Sequence, residues 1–591
     1  MLFLDGLKYL SYDAVKLSLV RYLQIDIDDV FVGQKETKML EEDVLELIQA
    51  QERVRRHIAN FTFNLGFCGK FYQKGASEER LGDSLLVENA PKFRWFPHLW
   101  RHQKPHQWNF TMLEHFLLLN QQFAKNYNIP VPFPYAVSPH HSGIYPVHDP
   151  LYKAWKKVWG IKVTSTEEYP HFRPTSLRRG FIYSDIKVLP RQTCGLYTHT
   201  MYMNQYPGGK SQLDNNIYGG ELFYTFIYNP ILIFMTHQSN YAHDRLALHT
   251  FENIIAFLKQ WTNLVLEYIS PIEMADKYFL YYPHEKDPLW SQPCFDKRHM
   301  SIWSSQKTCR KFPEALIVGP QKTGSTALYT FLKLHPKVRG SYESPVTFEE
   351  VQFFNGKNYH NGIDWYARFF PEHEAKEEIV FDKSATYFDC EAAPRRVQAL
   401  IPDAKIISIL ISPIKRAYSW YQHLRARNDP VALANDFIQV LHSQMNGSKE
   451  LWRLRQHCLT PGHYAHHIER WLSVFPAKQI LLIDGAVLVE TPAKVMSVVQ
   501  DFLELKPPLD YGKKLTFSKR KGFFCVKTET NKTQCLGRSK GRAYSEISKE
   551  AYDYLLDYFR PHNIALQQLL YRLGYDTPSW LQKELQETPQ F

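Results

Sequence analysis

The chain has 591 residues, 44% hydrophobic and 22% charged, with a formal net charge of +11. That length is too great for one hydrophobic core, so roughly two or three domains are expected, and the composition is that of an ordinary folded protein. Eight cysteines are too few for a disulfide scaffold, and the basic balance favours an anionic partner such as a nucleotide or a polyanionic glycan.

In chain order, Tyr22 to Gly33 (YLQIDIDDVFVG) reads as a buried strand, Leu23 to Asp29, ending in acids. Glu41 to Asn60 has helical periodicity. Phe96-Pro-His98-Leu-Trp-Arg-His102 predicts a short helix bracketed by Pro97 and Pro105. Short apolar runs and helices then alternate to about residue 270, an α/β pattern. Phe234-Met-Thr-His237 ends a hydrophobic strand with a histidine. The most apolar stretch, Leu222 to Met235, is short and holds Asn229 and Pro230, so neither a spanning segment nor a signal peptide is found. A passage rich in Pro, Cys and Lys, Asp287 to Phe312, reads as a linker and puts a domain boundary near 290 to 310. A strand–loop–helix unit follows (Glu314 to Gly319, then Ser325 to Leu334), with further strands at Lys405 to Ile411 and Gln479 to Asp484. Four glycosylation sequons, at Asn60, Asn109, Asn446 and Asn531, lean toward a secretory compartment.

The loop Gly319-Pro-Gln-Lys-Thr-Gly-Ser-Thr326 carries the clearest chemistry. A hydrophobic strand feeds a Gly-Pro turn, and the next helix opens with Thr323, Ser325 and Thr326 beside it. Free N–H groups at a helix start favour an anion. Lys322 adds a full charge, and Gly324 lets a phosphate approach the backbone. A Walker A loop places its Lys after the second Gly; here Lys322 precedes Gly324, which argues against an ATP-dependent kinase. The order resembles the 5′-phosphosulfate loop of sulfotransferases that use 3′-phosphoadenosine 5′-phosphosulfate. That donor implies a second anion site, and Ser412-Pro-Ile-Lys-Arg-Ala-Tyr-Ser-Trp-Tyr-Gln-His423 is the candidate. Arg416, Ser419 and His423 share one helical face; Arg416 and Ser419 could hold the 3′-phosphate and His423 could face the reacting centre. Many superfamily members carry Arg where this chain has Ser412.

Glu350 is the expected base, able to accept the proton an attacking amine loses, with Glu349 its nearest rival. Thr347-Phe-Glu-Glu350 also fits a helix capping box. Lys540 and Gly541 lie in a basic loop after Cys535 that could close over the donor phosphates, stiffened by a Cys525–Cys535 disulfide in an oxidising compartment. Cys294 and Cys309 form a second close pair in the linker.

In the N-terminal half, Asp28 and Asp29 end a strand, where α/β folds place functional acids. Adjacent strand side chains point opposite ways, so the two acids cannot share a job unless the strand has ended. On the predicted helix, His98 and His102 would put both imidazoles on one face, suited to a divalent metal. His140-His141, in Ser-Pro-His-His-Ser-Gly, are given no role.

Three passages, TFEEVQFFNGKNYHNGIDWYARFFP (347–371), RAYSWYQHLRARNDPVAL (416–433) and HIERWLSVFPAKQILLIDG (467–485), resemble heparan sulfate N-deacetylase/N-sulfotransferases. The resemblance runs through nearly the whole chain. It implies an α/β chain: a polysaccharide-deacetylase-like domain (a deformed β/α barrel) over 1–290, a linker over 291–312 with a Cys294–Cys309 disulfide, and a P-loop-like parallel-sheet sulfotransferase domain over 313–591. It implies glucosamine N-deacetylation followed by N-sulfation of heparan sulfate or heparosan, with 3′-phosphoadenosine 5′-phosphosulfate as donor and a divalent metal in the first half. Carried over, Asp28 is the base, Asp29, His98 and His102 bind metal, and His237 is the general acid; Lys322, Glu350, His423 and Lys540 serve catalysis or donor binding. The family's N-terminal anchor and first lumenal domain are missing here, so a truncated member is expected. Golgi residence, membrane association only through that anchor, no nucleic-acid partner and contact with other heparan-synthesis enzymes follow from the family. The rival expectations are a sulfotransferase with an inactive deacetylase-like half, and a non-catalytic heparan-binding scaffold.

Overall fold

The computed structural model describes residues 6, 9–11, 18–33, 37–169, 178–303, 309–343, 350–372, 378–445, 447–528, 532–537 and 545–588. Lys540 and Gly541 lie outside these residues, as do Glu349 and the sequon residues Asn446 and Asn531. The chain divides into two compact units, Met1–Leu289 with Pro293–Lys307, and Trp290–Gln292 with Thr308–Phe591.

The first unit is organised by β1 (Val20–Val30), whose Leu23, Ile25 and Ile27 are fully buried. Each such side chain contributes about 1.5–3 kcal/mol on leaving water. β1 lies between β2 (Asn64–Phe67) and β9 (Ile231–His237), both parallel to it. β2 pairs with β3 (Arg94–Pro97). A second sheet runs β4 (Tyr135–Ala136), β5 (Val163–Thr166), β7 (Ile186–Pro190), β6 (Phe181–Tyr183). After Pro190 and Arg191 the chain enters β8 (Gln192–Thr193), which pairs parallel with β9. β4 packs beside β3 with no ladder between them among the described residues. The parallel strands therefore close in the order β1, β2, β3, β4, β5, β7–β8, β9, a ring with one seam lacking hydrogen bonds. A short β10 (Val265–Glu267) also pairs with the start of β1. Amphipathic helices such as α1 (Glu41–Arg55), α2 (Phe110–Asn126) and α3 (Leu246–Trp261) bury their apolar faces in this unit.

The passage expected as a linker is not one free connector. Trp290 is buried in the second unit, its indole N–H donating to the Tyr359 carbonyl at 2.8 Å. A little further on, α4 (Lys297–Ile302) belongs to the first unit, with His299 and Ile302 buried. Cys294 and Cys309 are both disulfide-bonded.

The second unit is a parallel sheet ordered β12 (Val338–Gly340), β13 (Ile379–Lys383), β11 (Ala315–Gly319), β14 (Lys405–Leu410), β15 (Ile480–Asp484). Strands β11, β14 and β15 are largely buried runs of Ile, Leu and Val, as a sheet covered on both faces requires. A small antiparallel sheet, β16 (Leu515–Ser518), β17 (Phe523–Lys527) and β18 (Thr533–Gln534), is stapled by the Cys525–Cys535 disulfide. Among the described residues no helix is long and apolar enough to cross a membrane.

Candidate functional sites

In the first unit the sequence-predicted residues meet at the carboxyl ends of the parallel strands, where barrel folds build their sites. Asp26 and Asp28 are two residues apart on β1, so both point inward, and both are buried. Asp29 has φ +63°. That left-handed step breaks the strand alternation, and the β1–β2 register shifts between Ile27 and Val30. Adjacent Asp28 and Asp29 thereby both serve one mouth.

His98 and His102 reach Asp29 from a loop, not from the predicted helix. Pro97 is the last residue of β3, and Leu99 and His102 take φ +60° and +54°, conformations no α-helix contains. Nevertheless His98 Nε2 and His102 Nε2 lie 3.2 and 2.7 Å from Asp29 Oδ1. The three ligand atoms fall within 4.8 Å of one another. His98 Nδ1 sits 3.0 Å from the Val137 carbonyl. A carbonyl only accepts, so Nδ1 carries a proton and Nε2 is the nitrogen turned toward Asp29, the usual orientation of a metal-ligating histidine. Asp29 Oδ1 is buried yet makes no hydrogen bond of good geometry. These donors suit a divalent cation. The imidazoles of His102 and His98 outweigh burial and hold the Asp29 carboxyl well below the ordinary carboxylate range.

Arg191, absent from the sequence expectations, organises the rest. It sits fully buried where β7 hands over to β8. Its Nη1 donates to Asp28 Oδ2 at 2.6 Å, and its Nη2 to Asp28 Oδ1 and Asp26 Oδ2, both at 3.0 Å. Burial raises both carboxyls; at Asp28 the guanidinium and His98 win and the pKa falls below its usual value, whereas at Asp26 burial wins and it rises. Tyr135, Asn64 and Gln24 supply Asp26 with hydrogen bonds. His237 ends β9 directly across from Asp28. Burial lowers its pKa, against the pull of Asp29 and Asp28.

In the second unit the phosphate loop joins β11 to α5 (Ser325–Leu332). Gly319 has φ +104°, and a Cβ there would stand 2.2 Å from the Ala385 carbonyl oxygen, so only glycine fits. Lys322 (φ +73°) and Gly324 (φ +106°) complete the reversal. Thr323 Oγ1 donates to the Pro320 carbonyl at 2.8 Å and is buried, as is Ser325; Thr326 is half-buried.

β13 brings the expected base to the same edge of the sheet. Ile317 of β11 pairs with Lys383 of β13, and Lys383 Nζ lies 3.0 Å from Glu350 Oε1. Gln352 Nε2 donates to Glu350 Oε2 at 3.1 Å. Residues 350–353 are not helical, so Glu350 is not the third residue of a capped helix. Lys383, like Arg191, was not among the sequence expectations.

The stretch after β14 forms α6 (Pro413–Arg425), capped by Ser412 Oγ, which accepts from the Lys415 N–H. Ser419 and His423 are half-buried, with the His423 ring 5.5 Å from Trp420. Arg416, expected to hold the 3′-phosphate together with Ser419, lies in the first turn of α6. It is buried, and its Nη2 donates to the carbonyls of His457 and Cys458. Its Nε, also buried, has no hydrogen-bond partner among the described residues.

Comparison with known proteins assigns each unit a family model. Residues 20–223 match the family described as heparan sulfate-N-deacetylase, deacetylase domain. Residues 312–567 match the sulfotransferase domain. The chain is 54% identical over 590 residues to the mouse bifunctional heparan sulfate N-deacetylase/N-sulfotransferase 1, covering 100% of this chain and 67% of that protein. It is 53% identical over 589 residues to the human enzyme numbered 3, covering 99% and 68%. A solved sulfotransferase from Alicyclobacillus acidocaldarius aligns at 21% identity and a TM-score of 0.34, over 46% of this chain and 98% of that one. The chain thus spans about two thirds of its relatives' length and belongs to the bifunctional heparan sulfate N-deacetylase/N-sulfotransferase family.

Proposed function

We propose that this chain removes the acetyl group from N-acetylglucosamine units of a heparan-type polysaccharide. It then transfers a sulfuryl group from 3′-phosphoadenosine 5′-phosphosulfate to the amine so exposed, and it acts in the Golgi lumen. The observation that carries the reading is the meeting of Asp28, His237 and the Asp29–His98–His102 ligand set at one barrel mouth.

In the deacetylase step Asp29, His98 and His102 would hold a divalent cation, which would supply Lewis-acid polarisation of the acetamide carbonyl. Asp28, kept ionised by Arg191, takes a proton from the attacking water. The C–N bond breaks as His237 gives a proton to the leaving nitrogen, and acetate and a free amine result. In the sulfation step that amine attacks sulfur, Glu350 accepts the N–H proton, and the S–O bond to the nucleotide breaks. Lys322 and the N–H groups at the start of α5 stabilise the charge left on the 5′-phosphate. Ser419 and the unsatisfied Arg416 Nε are the donors for the 3′-phosphate. His423 and Lys540 complete the donor site.

Two variants of the full chain test the reading. His98→Ala removes a ligand and is expected to cut acetate release by at least about 100-fold, while sulfation of amine-bearing heparosan persists. Lys322→Ala is expected to do the reverse. Acetate release that survives His98→Ala refutes the metal assignment, and sulfation that survives Lys322→Ala refutes the phosphate loop.

A further inference from the structure

The turn Val137–Ser142 closes one side of the first site and is strained. His140 and His141, consecutive and neither glycine, take φ +55° and +54°. Such a pairing persists only where surrounding contacts over-determine it. The His140 ring lies 4.5 Å from the ring of the ligand His102. His141 is buried, its Nε2 3.4 Å from Glu167 Oε1. The Val137 carbonyl takes the Nδ1 proton of the ligand His98, so the turn begins on one metal-type ligand and leans on the other.

What holds the turn comes from far along the chain. Arg298 Nη2 donates to the His140 carbonyl at 2.9 Å. The same Nη2 lies 2.7 Å from Oε1 of Glu168, which follows β5 and is fully buried. His299 Nε2 lies 3.5 Å from the other oxygen of Glu168. Arg298 and His299 sit on α4, whose start is fixed by the Asp296 carboxylate accepting from both of their N–H groups. α4 lies outside both matched segments, 20–223 and 312–567.

We propose that Arg298, seated on Glu168, is a positioning residue of the deacetylase site: through the His140 carbonyl it fixes the strained His140–His141 turn against His102. The inference rests on the deacetylase reading above. It makes α4, beyond the barrel strand that ends in His237, a working part of the first site. Arginine suits the task because its fork can meet a carboxylate and a carbonyl together, whereas a lysine head is a single point.

The test uses Arg298→Ala and Arg298→Lys in the full chain. Arg298→Lys keeps a cation beside Glu168, so its melting temperature should stay that of the wild type. Both variants are expected to lower kcat for acetate release by about 10- to 100-fold, the range of lost outer-shell support. N-sulfation of amine-bearing heparosan should be unchanged. Both should also alter the visible spectrum of the metal-free chain titrated with Co²⁺, which reports the surroundings of His98 and His102 directly. Wild-type acetate release in Arg298→Ala, sulfation falling in step with deacetylation, or a Co²⁺ spectrum identical to wild type would each overturn the proposal. A wild-type chain that releases no acetate would sink the functional reading instead, and the Co²⁺ spectra would still decide the role of Arg298.

Discussion

Asp26 and Asp28 share one guanidinium, and the unequal outcome decides which is useful. Asp28 takes two hydrogen bonds from Arg191 and is held below the ordinary carboxylate pKa; Asp26 takes one and is held above it. A base must be ionised at working pH, so the mechanism proposed above takes Asp28 as the acceptor and leaves Asp26 as a buried anchor for Arg191, Tyr135 and Asn64. Asp28→Asn keeps the shape and loses the proton acceptor. Acetate release should fall by about 10²- to 10⁴-fold, with Co²⁺ binding retained; activity within a few-fold of wild type would move the base elsewhere. Arg191→Leu leaves two buried carboxyls side by side, a loss of about 3–5 kcal/mol for a broken buried pair, readable in denaturant melts. The acids and histidines were legible in the sequence because each ends a hydrophobic run or falls at ligand spacing. Arg191 and Lys383 were not. Each gains its role from a partner outside its own strand, Asp28 more than 160 residues away in one case and Glu350, in a segment that is not a strand, in the other, and no local pattern marks such an arginine or lysine.

Among the elements, strands were the more legible, since an apolar run such as Ile231–His237 has only one way to be buried in a parallel sheet. The helix expected over 98–102 was misread because i, i+4 spacing was taken as helical. Two left-handed residues bring the imidazoles together by another route. The α/β character followed from the alternation of runs, but the seam between β3 and β4 did not, since it depends on the twist of the whole ring. In the second unit, α7 (Tyr464–Leu472) and α8 (Lys549–Arg572) are joined by a histidine stack. The rings of His463 and His562 lie 3.8 Å apart at 13°. Burial and then His562 push the His463 pKa from 6.5 down to about 3, and burial lowers His562 as well. A histidine depressed on folding contributes stability that is complete above its unfolded pKa and is lost as pH falls toward the folded one. The thermal stability of this unit should therefore drop from pH 6.5 downward. His562→Gln, which removes one half of the stack, should flatten that slope. It should not abolish it, because buried His467 nearby is lowered to about 4. Parallel pH profiles for wild type and His562→Gln would show that the stack does not set the slope.

At the scale of the whole molecule, two chemistries with different requirements occupy one chain. In the deacetylation proposed above, the first site works through a cation held by one carboxylate and two imidazoles. In the sulfation proposed above the charges come from the protein itself, Lys322 in the loop and the Lys383–Glu350 pair, and that step calls on no metal. A chelator should therefore separate the activities without any mutation. On fully N-acetylated heparosan, chelation should abolish acetate release and sulfate incorporation together, because no amine is exposed to accept the sulfuryl group. On chemically de-N-acetylated heparosan, the same chelated protein should incorporate sulfate at the untreated rate. Restoring Zn²⁺ or Co²⁺ should bring back both activities on the acetylated chain, acetate appearing before sulfate. If sulfate entered the acetylated chain under chelation, the amine would not be the acceptor. If chelation stopped sulfation of the amine-bearing chain, the second site would share the metal of the first. The order of the reactions follows from the same physics: an acetamide nitrogen has its lone pair delocalised into the carbonyl, and only hydrolysis turns it into a nucleophile that Glu350 can assist.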